Sequence, residues 1–301
     1  MKLSVTPISS SRLFRQDDMD LPGFIDFCAE HGCDAIDLLD IRKYTWLWKD
    51  ARSDMRELPG WLESAGLKLA AYGCGNNFAL ADAGERAEQV DSIKLAVKEA
   101  RDLGTRVTRI FGGHMPAAPE PPAVAVGFTR VVEAIEQCLP AAEQAGVVMA
   151  LENHGALPGL SYEVEAIIAH FNSPSLQCTF DTGNFLADNM REVEDPIHAL
   201  NRLIGHTAHV HVKDLEQHRE PTAGTRRQAC VAGEGDVPLR QLAAMLEAAG
   251  FDGYHSLEFE AGARMPERDG MARSLAFMAG LKEEFATLSP GADRIGAAAR
   301  A

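Results

Sequence analysis

The chain has 301 residues, a formal net charge of -15, and 46% hydrophobic against 24% charged residues. That balance excludes a disordered or collagen-like chain and supplies material for a sizeable core. It also makes phosphate backbones and anionic bilayers poor partners, so neither nucleic acid nor a membrane is expected. No apolar run approaches the roughly eighteen residues of a membrane span, and the opening MKLSVTPISSSRLFR lacks the apolar core and cleavage site of a signal peptide. A cytoplasmic location is the expectation. Cys28, Cys33, Cys74, Cys138, Cys178 and Cys230 are scattered with no C-x-x-C pair, which predicts free thiols.

In chain order, short β-branched runs alternate with longer segments of helical period. Strands are predicted at KLSVTP (2–7), AIDLL (35–39), LKLAAYG (67–73), RVTRIFG (106–112), VVMALE (147–152), LQCTFD (176–181), TAHVHV (207–212) and YHSLEFE (254–260). The third connection repeats apolar residues at Val90, Ile93, Val97, Ala100 and Leu103, and the fourth at Phe128, Val131, Ile135 and Leu139. ESAGLKLA, EQAGVVMA and EAAGFDGY each put a glycine just past a helix and shortly before a strand. Right-handed strand–helix units repeated eight times close most economically into one α/β domain, a single (β/α)8 TIM barrel over residues 1–288 with a frayed or subunit-contacting tail at 289–301. An open doubly wound sheet would carry G-x-G-x-x-G after the first strand, where this chain reads TPISSSRLFRQ.

Active sites of such barrels sit at the C-terminal ends of the strands. Here the fifth strand ends in Glu152, the sixth in Asp181, the seventh carries His209 and His211, and the eighth carries Glu258 and Glu260. Successive positions lie about one βα unit apart, except that a long polar loop, EQHREPTAGTRRQACVAGEG, follows His211. Carboxylates crowded on one rim cannot all stay ionised without a counter-charge, so the pattern predicts one bound divalent cation. An oxygen-rich set with one imidazole favours manganese, magnesium or cobalt, and zinc also fits.

The segments ALENH, FDTGN, HVHVKD, GEGDVPL and YHSLEFE, in that order and spacing, resemble the xylose isomerase-like TIM-barrel superfamily, in its sugar phosphate isomerase/epimerase branch. The resemblance implies a metal held by Glu152, Asp181, His211 and Glu258, with Glu152 and Glu258 also moving the proton. The implied activity is isomerisation or epimerisation of a ketose or related keto-sugar, by proton abstraction beside a carbonyl through a metal-stabilised enediolate. The same scaffold resembles inosose and dehydroshikimate dehydratases, and enzymes that cleave C-glycosides through a 3-keto sugar, so a lyase is the alternative. Some sugar epimerases of the group have a histidine three residues after the metal aspartate, where this chain has Asn184. Lys213 and Asp214 stand where those enzymes follow the metal histidine with a glutamate and an arginine for the sugar.

Further substrate-side candidates at the rim are His154 beside Asn153, with a loop-stabilising hydrogen bond as the alternative, His114, with a structural role as the alternative, and Trp46 with Trp48 and Asn77 with Phe78, which serve equally as core or subunit anchors. His209 is read as supporting the metal histidine or packing, and Glu260 as a solvated neighbour. GEGD offers backbone amides to a phosphate, although the acidic surplus argues for a neutral or unphosphorylated substrate. The expected partner is a small sugar or keto-sugar, with a homo-oligomer or hetero-complex left open. An abasic-DNA endonuclease would want more metal-binding histidines and a basic groove, while a non-catalytic subunit is a rival that turnover alone separates.

Overall fold

The computed structural model describes residues 1–114, 121–155, 157–187, 192–220 and 224–288; the predicted tail, 289–301, lies outside the described residues. The strands are β1 Lys2–Val5, β2 Ala35–Leu39, β3 Lys68–Gly73, β4 Val107–Phe111, β5 Val148–Glu152, β6 Leu176–Asp181, β7 Thr207–Val212, β8 Leu215–Glu220, β9 Gly224–Ala229 and β10 Tyr254–Leu257. Eight of them pair in parallel in the order β1-β10-β7-β6-β5-β4-β3-β2. At the seam between β1 and β2 the Asp34 amide donates to the Leu3 carbonyl at 2.8 Å, and the Leu3 amide to Asp34 Oδ2 at 2.7 Å. The result is a nearly closed TIM barrel with helices outside.

The helical spacing carries through to burial. Val90, Ile93, Val97 and Ala100 are buried on the helix Ala83–Asp102, which starts where Asp82 accepts the Glu85 amide at 2.9 Å. Val131, Ile135 and Leu139 are buried on the next helix, Pro121–Ala145. Gly66, Gly146 and Gly250, predicted to end helices, have φ of 69°, 65° and 74°, a left-handed turn that a side chain would strain. All six cysteines are free, five of them buried. Among the described residues no helix is long and apolar enough to cross a membrane.

Beyond single-residue trims of β3, β4 and β5, three features differ from the sequence reading. β1 stops at Val5 because Pro7, which has no N–H to give a ladder, opens a 3-10 turn over Pro7–Ser10. β10 stops at Leu257, so Glu258 and Glu260 lie on the loop that leaves it, although the Glu258 amide still donates to the Val212 carbonyl at 3.0 Å. The polar segment after His211 contains an antiparallel hairpin, β8 paired with β9 from Leu215↔Ala229 to Glu220↔Gly224. Its charged faces hide the alternation that marks a half-buried strand.

Directly opposite Val210 and Leu3 in the ladders stands His255, only 1% exposed and edge-on to Phe251 at 5.3 Å. Burial, with the N-terminal amine and His209 nearby, pushes its pKa down to about 3. The unfolded imidazole takes a proton near pH 6.5 that the folded one refuses, so stability is intact above that value and falls as the pH drops towards 3. Chemical denaturation from pH 7 to pH 4 is expected to show a His255 contribution of about 3 kcal/mol, absent in His255→Phe.

Candidate metal centre and cleft

Alternation along the barrel strands turns every second side chain inward. Asp181 lies directly across from His211 in the β6–β7 ladder, and His211 from Ser256 in the next. Glu152 ends β5, and Glu258 follows β10 on the same rim. One ligand atom from each of Glu152, Asp181, His211 and Glu258 falls within 4.8 Å of all the others, and all four residues are buried. His211 Nδ1 is 3.6 Å from Glu152 Oε1 and 3.3 Å from Glu258 Oε2. The chain thus brings together the four residues expected to hold a metal.

Their chemistry fits a cation. Glu152 Oε2, Asp181 Oδ2, His211 Nδ1 and Glu258 Oε2 are all buried without a hydrogen bond, one atom from each residue, and the three carboxylate oxygens have only ion-pair neighbours. Four buried carboxylates, Asp37, Glu152, Asp181 and Glu258, face two fixed cations, Arg109 and Lys213, leaving a negative surplus that a divalent ion would neutralise. Burial, opposed by Lys213 and reinforced by Glu258 and Glu152, pushes Asp181 up to about 7. Burial also works against the charge of Glu152, but His211 and Arg109 outweigh it and hold the carboxyl at about 2.

Around these four stands a support the strand-end reading did not reach. Asp37, in the middle of β2, has Oδ2 at 2.9 Å from His209 Nε2 and 3.4 Å from His211 Nε2. His209 therefore bonds to Asp37 behind His211, and the pair leaves Nδ1 of His211 facing the carboxylates. Arg109, in the middle of β4, lies 3.2 Å from Glu152 Oε2 as an ion pair and donates to the Cys74 carbonyl at 2.6 Å. A lone acid in AIDLL and a lone base in VTRIF were the available signals: a charge inside a buried strand demands a partner.

Asn153 Oδ1 accepts the Asp181 amide at 2.8 Å and its Nδ2 donates to the Asp181 carbonyl at 3.1 Å, so it ties β5 to β6. Asn184 donates to Glu152 Oε1 at 3.3 Å and accepts from Lys213 at 3.2 Å. Lys213 Nζ also lies 3.3 Å from Asp181 and 3.1 Å from both Glu258 and Glu260. Burial opposes its charge, yet Asp181, Glu258 and Glu260 hold its pKa well above the ordinary lysine value. Glu260 keeps a 45% exposed side chain.

A cleft of about 430 Å³ opens beside Glu258 and is lined by Asn77, Arg109, Phe111, His114 and His154 among others. Burial pushes His154 down to about 4, and burial and then Lys43 lower His114. Both rings are therefore neutral near pH 7. The His154 ring centroid is 4.4 Å from that of Phe111 and 5.4 Å from that of His114. Trp46 stands elsewhere, 5.8 Å from Phe14 with Arg15 over its face, and Trp48 is buried with Nε1 donating to the Leu39 carbonyl. Phe78 is fully buried in the core. Larger grooves of about 710 and 500 Å³ lie against Leu239 and Phe285, and against Phe128 and Ile167, away from the carboxylates.

The GEGD amides are already taken. Asp214 accepts the backbone N–H groups of Leu215 at 2.9 Å, Gly233 at 2.8 Å, Gly235 at 3.0 Å and Val237 at 3.2 Å. A Cβ on Gly235 would stand 2.2 Å from Asp214 Oδ1, so only glycine permits this approach. Asp214 is a loop anchor, and no phosphate cradle remains there. Asp214→Ala strands four amides and is expected to lower the unfolding free energy by about 3 kcal/mol in urea titrations.

A family model described as xylose isomerase-like TIM barrel matches residues 25–281. The Escherichia coli K12 protein YihM is 32% identical over 110 residues, 36% of this chain and 32% of that protein. Fructoselysine 3-epimerase of Shigella flexneri is 26% identical over 191 residues, 60% of this chain and 62% of the enzyme. The chain thus matches less than two thirds of the length of either curated relative. The crystal structure of the IolI protein with a bound zinc atom superposes with a TM-score of 0.72 at 17% identity, covering 93% of this chain and 98% of that one.

Proposed function

Since the chain belongs to the xylose isomerase-like TIM-barrel family, as the match over residues 25–281 shows, we propose that it is a divalent-metal-dependent isomerase or epimerase of a ketose or related keto-sugar. The observation that carries this reading is the convergence of Glu152, Asp181, His211 and Glu258, each with one buried atom lacking a hydrogen bond. A divalent cation held by these residues would supply Lewis acidity beside the substrate carbonyl. Glu152 and Glu258 leave different strands, so a carbon between them meets a carboxylate on either side. One carboxylate takes the proton on the carbon next to the carbonyl, and the other returns one to the opposite face. His154 and His114, both neutral, orient hydroxyls, and Phe111 excludes water along the wall.

The alternative on this scaffold, loss of water or an aglycone, needs an acid for the departing oxygen. Lys213 is the nearest ammonium, but the carboxylates around it make it keep its proton, which favours return of the proton to carbon. Proton NMR in D₂O on a panel of ketoses, 3-keto sugars and inososes, with Mn²⁺ supplied and then chelated, tests the proposal. Chelator-sensitive exchange with an altered hydroxyl configuration is the expected result. Exchange accompanied by elimination would replace it with a lyase, and no cation uptake would end the metal reading altogether.

A further inference from the structure

The cleft is lined by the carboxylates Glu258 and Glu260 and also by the hydrogen-bond donors Lys43, Asn77 and Gln89. Asn77 Oδ1 accepts two backbone amides, those of Ala79 at 3.0 Å and His114 at 3.1 Å. Gln89 Oε1, on the helix Ala83–Asp102, accepts the Asn77 amide at 3.1 Å. A backbone N–H only donates, so in both side chains the oxygen is fixed by its partner and the NH₂ group is turned away from it. Neither NH₂ group has an acceptor among the described residues, and both side chains line the cleft.

Lys43 lines the same cleft. Its ammonium has no carboxylate partner among the described residues, in a chain where acids outnumber bases by 44 to 29. Its stem is laid over Gly75, where a Cβ would stand 2.3 Å from Lys43 Cγ. Asp40 holds the two together by accepting the Lys43 amide at 3.1 Å and the Gly75 amide at 3.1 Å. Three donors on the β2 and β3 loops and the following helix therefore line one cleft with no acceptor of their own among the described residues, and backbone bonds fix the orientation of the two amides.

We infer that Lys43, Asn77 and Gln89 form an oxyanion subsite, so that the substrate is an acidic keto-sugar whose carboxylate or phosphate lies against these three donors. This rests on the proposed function, but the anion site stands on its own donors. An ammonium with two fixed amides suits an oxyanion better than a hydroxyl, which needs an acceptor for its own hydrogen. The subsite departs from the expectation of a neutral substrate drawn from overall charge, because that surplus is a property of the whole surface and the local donors decide what this cleft holds.

Side-chain amide resonances of Asn77 and Gln89 in the Mg²⁺-loaded protein, titrated with inorganic phosphate, acetate, sodium chloride and glycerol, test the inference without turnover. Phosphate or acetate is expected to shift both NH₂ groups saturably, and the one that binds more tightly identifies the anion. Gln89→Glu keeps an oxygen for the Asn77 amide but replaces the donor with a negative charge, and Lys43→Met removes the ammonium from an exposed position. Each should weaken anion binding about tenfold or more. With acidic and neutral keto-sugars that undergo exchange, Lys43→Met should raise KM for the acidic one by a similar factor and narrow the gap between them. Equal shifts with chloride, or unchanged affinity in both variants, would overturn the subsite. Anion binding without proton exchange on any sugar would instead remove the proposed reaction and leave the subsite in place.

Discussion

Glu152→Gln and Glu258→Gln are each expected to slow proton exchange at the carbon beside the substrate carbonyl by about 10²- to 10⁴-fold, measured at saturating Mn²⁺. The substitution keeps the side chain's size and one oxygen. Asn184 Nδ2, 3.3 Å from Glu152 Oε1, can keep its bond to a glutamine oxygen, so the geometry around that position is largely retained. What is lost is a lone pair basic enough to take a proton. The two variants should fail asymmetrically, each on the epimer whose proton its own glutamate removes. Because both residues are also candidate ligands, cation affinity must be measured alongside, and rates compared only where the site is filled. If both variants exchange at the full rate with cation bound, these glutamates are not the bases.

The eight-strand order was legible because burial on both faces forces parallel strands to be short, apolar and separated by helices. In β2, β6 and β7 the sequence boundaries coincide with the observed ones. β8 and β9 were not legible, since a hairpin outside the core has no hydrophobic period to betray it. The rim residues stood out because each follows an apolar run. Asp37 and Arg109 stood inside such runs and read as interruptions; their partners come from β7 and β5, and that proximity exists only once the barrel has closed. Trp46, a rim position by count, packs on Phe14 at 5.8 Å and edge-on to Tyr44 at 6.2 Å, a pairing that depends on the folded loop and not on its place in the chain.

Arg109→Met is expected to destabilise the chelated protein by about 3–5 kcal/mol in urea or guanidinium denaturation, the cost of leaving a buried carboxylate without its counter-charge. The methionine fills most of the stem's volume, so packing loss is small beside the electrostatic one. Arg109 is 3% exposed and lies 3.2 Å from Glu152 Oε2, an atom with no other partner. With saturating Mg²⁺ the penalty should shrink, because a cation shared by Glu152, Asp181, His211 and Glu258 replaces the missing positive charge, and binding to the folded state alone adds about 2.7 kcal/mol at a hundredfold excess over Kd. The variant should therefore gain more stability from the cation than the unaltered protein does. An equal loss with and without cation would mean that Glu152 and the ion do not meet, and the four-residue centre would lose the member that is also its proposed base.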